Sequence, residues 1–434
     1  MPAAIGWFIG WFIGWFIGWF IGWFIGWFIG WFIGWFIGWL SFAPARWWTV
    51  RAVSDLEPSR PGAVPPGAPQ YVVPNYAGAN VRGLVPAFLG PSHLARPDWL
   101  PEPARQARHV VLLVLDGLGW DQLRDRPHLA PTLSAMTGGP ITTVAPTTTA
   151  TALTSITTGL TPGEHGLIGY RIDVGGDVLN VLRWHTDGRG DARRLHEPER
   201  LQPFPPFMGD AVPVVSKAEL ERSAFSAAHL RGCVPVGWRS PSSLAVTVGE
   251  QLRAGAPFVY AYYDGVDKIA HERGFGDYYD AELRAADRLV ADVIAAVPAG
   301  VAVVVTADHG QVHVGDRVIV PDAAMMRLVH HASGEGRFRW LHARPGASAE
   351  LASAARAAHG DVSWVVTREQ TLDEGWFGPV VPPPVQARLG DVALVAHQDV
   401  SFDDPADSGP FQLVCRHGSL TPAEVYVPLI AALG

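Results

Sequence analysis

The chain has 434 residues, 48% of them apolar, and a formal net charge of −8. That length allows one large or two modest domains with a sizeable core, and the acidity excludes a non-specific nucleic-acid surface, although bound cations can reverse the local field for an anionic substrate. Two cysteines, Cys233 and Cys415, exclude a multi-bridge disulfide framework and suit a reducing, cytoplasmic setting.

Residues 7–38 are eight consecutive copies of Trp-Phe-Ile-Gly, and the first charged side chain is Arg46. The apolar run exceeds the ~20 residues that span a bilayer, so residues 5–42 are a candidate membrane anchor. A glycine every fourth residue weakens a helix, and no basic segment precedes the run. The alternative is a tandem nucleotide repeat read in frame, an artefactual or dispensable extension. Membrane association is expected only through this repeat. Residues 43–75, rich in Pro, Gly and Ala, read as a linker, and the globular domain is expected over 76–434.

Within that domain residues 80–90 predict a short helix. Residues 109–117 (HVVLLVLDG) predict a buried strand, because the run has no polar alternation and ends at Asp116–Gly117. A helix is expected around 120–136, a strand at 140–145 and a Thr-rich helix at 148–158. Strands follow at 178–184 and 211–217, a helix at 241–254, a strand at 257–264 and an amphipathic helix at 277–296. The clearest strand, 301–310, ends in Asp308–His309–Gly310. Further strands are predicted at 317–321, 337–343, 362–367 and 391–397, with a helix near 348–358. Alternating helices and buried strands imply a doubly wound, mainly parallel α/β sheet with helices on both faces. Such sheets bind ligands at the carboxyl ends of their strands, where Asp116, Asp308 and His309 fall.

Each polar motif alone also fits a cap or a turn; together they supply a complete chemistry. Asp267 and His271 are spaced to share one side of a helical turn, which Asp264 and His271 are not. His417 follows in CRHG. Thr147, Thr148 and Thr149 open a helix, where free N–H groups favour an anion. A threonine hydroxyl is a poor nucleophile unless a cation stabilises its alkoxide, so the carboxylate–imidazole set and the threonines point together to two-metal phosphoryl transfer or hydrolysis. Mixed Asp and His donors suit zinc, with manganese as the alternative.

In that order and spacing the segments resemble the alkaline phosphatase superfamily, in its type I phosphodiesterase/nucleotide pyrophosphatase branch, over residues 108–434. The resemblance implies a central α/β sheet with smaller cap-like insertions and two divalent ions, usually zinc. Asp116, Thr149, Asp308 and His309 resemble the set around the nucleophile-side metal. Asp267, His271 and His417 resemble the ligands of the other. Thr149 matches the nucleophile because it lies ten residues before the Gly of Thr158–Gly159, with Thr148 as runner-up. The family's phosphate-holding Asn is not found in residues 166–171 (GLIGYR), so Tyr170 or Arg171 is expected to hold a phosphate oxygen instead, which leaves diester against monoester open. The resemblance implies a small-molecule phosphoester hydrolase working through a phosphothreonine. The alternatives are a monoesterase or phosphomutase of the same superfamily, or a catalytically silent membrane-tethered binding protein.

Overall fold

Strand Val110–Leu115 is buried along its whole length, as a continuous run of Val and Leu requires: both faces must be covered. The structure, a computed structural model, describes residues 69–91, 95–187, 190–404 and 412–434. The Trp-Phe-Ile-Gly repeat and the linker as far as residue 68 lie outside the described residues. Residues 69–75 belong to the packed body: the Tyr71 hydroxyl donates to Glu374 at 2.5 Å, and the Val72 N–H donates to the Leu420 carbonyl at 2.9 Å.

Val110–Leu115 pairs in parallel with Phe258–Tyr263 on one side and Ala302–Thr306 on the other. Pro213–Val215 and Val234–Pro235 extend the parallel set beyond Phe258–Tyr263. At the opposite edge Tyr426–Leu433 runs antiparallel to Ala302–Thr306, and Thr137–Thr142 runs antiparallel to it in turn. The result is a seven-stranded, mostly parallel sheet inside a mixed α/β body. Its helices include Thr149–Thr158, buried throughout, and Pro241–Arg253 and Asp277–Ala296, which bury one face each. Among the described residues no helix is long and apolar enough to cross a membrane.

Two four-stranded antiparallel sheets are added to this frame. The first is built from residues 171–191. In the second, Phe338–Ala343 lies between Val329–Glu335 and Val392–Ala396, and Ser363–Thr367 forms the far edge. Side chains of the second sheet alternate between two cores. Phe338, Trp340, Trp364, Val366, Ala393 and Val395 join the main core. Leu341, Val365, Val392, Leu394 and Ala396 pack with Leu351, Ala352 and Ala355 of helix Ser348–His359. Period-two alternation therefore survives, but both faces are apolar.

Several predicted elements differ for local reasons. The helix expected around 120–136 is two short ones, Trp120–Arg124 and Pro131–Ala135, because Pro127 and Pro131 offer no N–H to continue the ladder. The strand expected at 178–184 stops at Asn180, and Trp184 turns back with a φ of 52°. The strand at 317–321 shortens to Val318–Ile319. Val329–Glu335 and Tyr426–Leu433 are strands that were not expected; the first is polar and the second is interrupted by Pro428.

Candidate active site

The carboxyl ends of three adjacent strands converge. Asp116 follows Val110–Leu115, Asp308 and His309 follow Ala302–Thr306, and helix Gly265–Arg273 begins just after Phe258–Tyr263 and carries Asp267 and His271 on one side. Their donor atoms form two groups sharing Asp267, namely Asp116–Asp267–His309 and Asp267–His271–His417, with the atoms of each group within 4.8 Å of one another. Asp308 stands beside His309, with Oδ2 3.4 Å from His309 Nε2. Thr149 opens its helix with its hydroxyl 3.1 Å from the same Nε2. Thr148 is the N-cap residue, and Thr147 donates its hydroxyl to the Ser419 carbonyl at 2.8 Å. Of the three, Thr149 is the one whose hydroxyl meets His309.

The histidines are held in one tautomer. Nδ1 of His309 meets the Gly310 carbonyl at 3.1 Å, Nδ1 of His271 the Cys415 carbonyl at 2.7 Å, and Nδ1 of His417 the Thr147 carbonyl at 2.7 Å. A carbonyl only accepts, so each Nδ1 carries a proton and each Nε2 is the atom turned toward the carboxylates, the orientation common to metal-binding imidazoles. The His309 and His417 rings stack with centroids 3.6 Å apart. Burial first, then the charges of His309 and His271, push His417 well below the ordinary imidazole range, so that it is neutral.

The carboxylates are similarly oriented. Asp308 Oδ1 accepts the N–H groups of Gly117 and His309, each at 3.0 Å. Asp116 Oδ2 accepts the Tyr262 hydroxyl, and Asp267 Oδ1 accepts Gln311 Nε2 at 2.9 Å. That leaves Asp116 Oδ1 and Asp308 Oδ2 buried with no hydrogen-bond donor. Burial, then Asp308 and Asp267, raise Asp116 well above the usual carboxylate range. Burial raises Asp267 as well. Buried, crowded carboxylates with unpartnered oxygens, facing imidazole Nε2 atoms, fit divalent cations.

Asp264 is taken up elsewhere, with Lys217 and Lys268 Nζ each 2.6 Å from its carboxylate. Arg171 opens strand Arg171–Val174. Its guanidinium is buried between Asp404 and Asp187, and Asp404 also binds Arg339. Two carboxylates thus face two guanidiniums. Tyr170 is half-buried beside that arginine. The chain reading missed Tyr262 and Gln311. Gln311 carried a signal in directly following Asp308–His309–Gly310; Tyr262 carried none, lying within an apolar strand.

The family model described as type I phosphodiesterase / nucleotide pyrophosphatase matches residues 110–243 and 218–420. No curated protein matches the chain by sequence. Among solved structures, murine ectonucleotide pyrophosphatase / phosphodiesterase 5 superposes with a TM-score of 0.56 at 15% identity, covering 74% of this chain and 87% of that one. An inactive variant of the same murine protein, in complex with AMP, gives 0.56 at 16%, covering 75% and 87%. Phosphonoacetate hydrolase from Sinorhizobium meliloti 1021, in complex with phosphonoformate, gives 0.54 at 18%, covering 75% and 90%.

Proposed function

The chain belongs to the type I phosphodiesterase / nucleotide pyrophosphatase family of the alkaline phosphatase superfamily, and on that premise we propose a two-metal phosphoester hydrolase that works through a phosphothreonine at Thr149. The observation that carries the reading is the meeting of the Thr149 hydroxyl with His309, a member of one of two donor groups that share Asp267. Asp116, Thr149, Asp308 and His309 would hold one divalent ion; Asp267, His271 and His417 would hold the other. Zinc fits these donors best. Bound cations would supply the charge that neutralises phosphate oxygens and lowers the pKa of a hydroxyl.

The protein's own part is positional. Thr149 Oγ1 attacks phosphorus in line, the new O–P bond forms, and the bond to the leaving oxygen breaks. Water then attacks the same phosphorus and returns the Thr149 hydroxyl and free phosphate or monoester. The Thr149 oxygen sits in the first turn of a buried helix, where free N–H groups favour the growing negative charge. Tyr170 and Arg171 are the candidates to donate to a non-bridging oxygen. The fold relatives were captured with a nucleotide monophosphate and a phosphonate, both small phosphorus anions, so the substrate class is a small phosphoester or phosphonate.

The test is a hydrolysis panel of chromogenic mono- and diesters, nucleotides and phosphonates, each with added zinc or manganese. Wild type should turn over at least one class, and Thr149→Ala should lose about a thousand-fold or more while keeping its metal content. Wild-type rates in the Thr149→Ala protein would remove the nucleophile.

A further inference from the structure

Away from the active site, Asp173, His331 and His342 bring their donor atoms within 4.8 Å of one another. Asp173 lies on strand Arg171–Val174 of the first small sheet. His331 and His342 lie on the paired strands Val329–Glu335 and Phe338–Ala343 of the second. The catalytic scheme uses none of the three.

The local backbone is arranged for this meeting. Val329 pairs with Ala343, so an unbroken ladder would set His330 opposite His342. A bulge after Val329 shifts the register by one, and His331 takes that place. Bulges commonly re-aim a side chain in this way. The His331 and His342 rings then stack with centroids 4.0 Å apart and planes 14° apart. Both rings point a nitrogen at one carboxylate: His331 Nε2 is 2.5 Å, and His342 Nδ1 3.8 Å, from Asp173 Oδ2. An ion pair needs only one of those imidazoles. Donors around a tetrahedral zinc sit about 3.3 Å apart, between the two distances seen.

Each donor is also held from behind. Asp173 Oδ1 accepts the Gly176 N–H at 2.7 Å, His342 Nε2 meets Ser333 Oγ at 2.8 Å, and His331 Nδ1 meets His330 Nδ1 at 2.8 Å. Outer contacts of this kind fix the rings and carboxylates that bind metals. The side chains of Asp173 and His342 are 8% and 11% exposed and that of His331 is 25%, so the group is shielded on the Asp173 side and open to solvent at His331, where water can complete a coordination sphere.

We propose that Asp173, His331 and His342 form a third cation site, of the zinc class, that clips the two small sheets together. Two imidazoles and one carboxylate are borderline donors that suit a first-row transition ion better than calcium or magnesium. The role assigned to it is structural, because its donors come from strands of both small sheets.

The test uses the full chain, stripped with chelator, reloaded with zinc alone and assayed for metal content by elemental analysis. His331→Ala/His342→Ala should bind one zinc equivalent fewer than wild type and keep hydrolysis within about two-fold. Asp173→Asn, close to isosteric and so expected to fold, should bind that equivalent at least ten-fold more weakly. A separate variant, Asp267→Asn/His417→Ala, should retain this equivalent while losing those of the active site, so the third site is read independently of the catalytic assignment. Wild-type zinc content in both the His331→Ala/His342→Ala and Asp173→Asn proteins would overturn the proposal, as would no bound zinc in Asp267→Asn/His417→Ala.

Discussion

At Asp116 two demands meet in one carboxylate. Oδ1 faces the His309 Nε2 at 3.6 Å, and Oδ2 is held by the Tyr262 phenol. Burial first, then Asp116 and Asp308, keep that phenol protonated far above its ordinary range, so it always donates. Tyr262→Phe should leave the fold intact but free Asp116 to rotate, weakening zinc binding about 10- to 100-fold with a parallel fall in kcat. Zinc titration followed by activity checks this, and unchanged affinity would show that Tyr262 merely packs. Gly117 is a second residue on which the geometry depends. Its φ is 73°, and an added Cβ would lie 2.4 Å from Gln311 Nε2 and 2.9 Å from Asp267 Cβ. Gly117→Ala should therefore both strain the turn, by about 1–2 kcal/mol, and displace a proposed ligand. Its metal content should fall even where its circular dichroism is native, and full metal content would count against this coupling. Asp116, Asp308, His309 and His417 were legible in the chain because they stand at strand ends close to glycines, and Asp267 and His271 because their spacing puts them on one side of a helix. Tyr262 was not, since an inward phenol in an apolar strand reads as core until its partner is known.

Helix Thr149–Thr158 shows what is legible at the scale of an element. Its Thr-rich start and Gly159 end are plain in the chain, and Gly159 takes a φ of 73° at the C-cap. How it is locked in place is not plain. Leu167 N–H donates to His165 Nδ1 at 3.1 Å, so the proton sits on Nε2, which meets Ser155 Oγ at 2.9 Å. His165 thus ties the helix to the loop after it as a neutral ring. Burial, then Arg388, lowers its pKa to about 3. Burial likewise lowers His229 to about 4, its Nδ1 bound to the Phe225 carbonyl. A histidine whose folded pKa is depressed contributes its full stability above the unfolded value of about 6.5 and loses it as pH falls toward the folded one. Each ring should therefore cost about 2 kcal/mol by pH 5. The melting temperature should drop between pH 6.5 and 5, and His229→Gln should flatten that slope. Equal slopes in wild type and variant would place the acid sensitivity elsewhere.

Across the whole molecule, long-range pairing is what the chain conceals. Three of the four strands of the second small sheet were readable, yet nothing in RFRWLHA or in the segment around residue 424 announces that Arg337 and Glu424 meet. They form a bidentate ion pair, both arms at 2.8 Å, with both side chains 0% exposed. Arg337 also donates to the carbonyls of Ala396, Gln398 and Val400, and Glu424 accepts the Ser419 N–H at 3.0 Å and the Thr421 hydroxyl at 2.6 Å. The pair therefore fastens the loop that carries His417 to the second small sheet. A buried pair contributes little over an apolar replacement, but losing one partner leaves a buried charge at a cost of about 3–5 kcal/mol. Arg337→Met should be destabilised by that amount in denaturant titration, and Arg337→Met/Glu424→Gln should recover part of it. Because the loop also sets the His417 ring, Arg337→Met should bind zinc more weakly even at temperatures where it is folded, whereas the Tyr262→Phe protein should lose affinity without losing stability. If Arg337→Met loses stability but binds zinc as wild type does, the pair braces the fold alone, and His417 is positioned by its own bond to the Thr147 carbonyl.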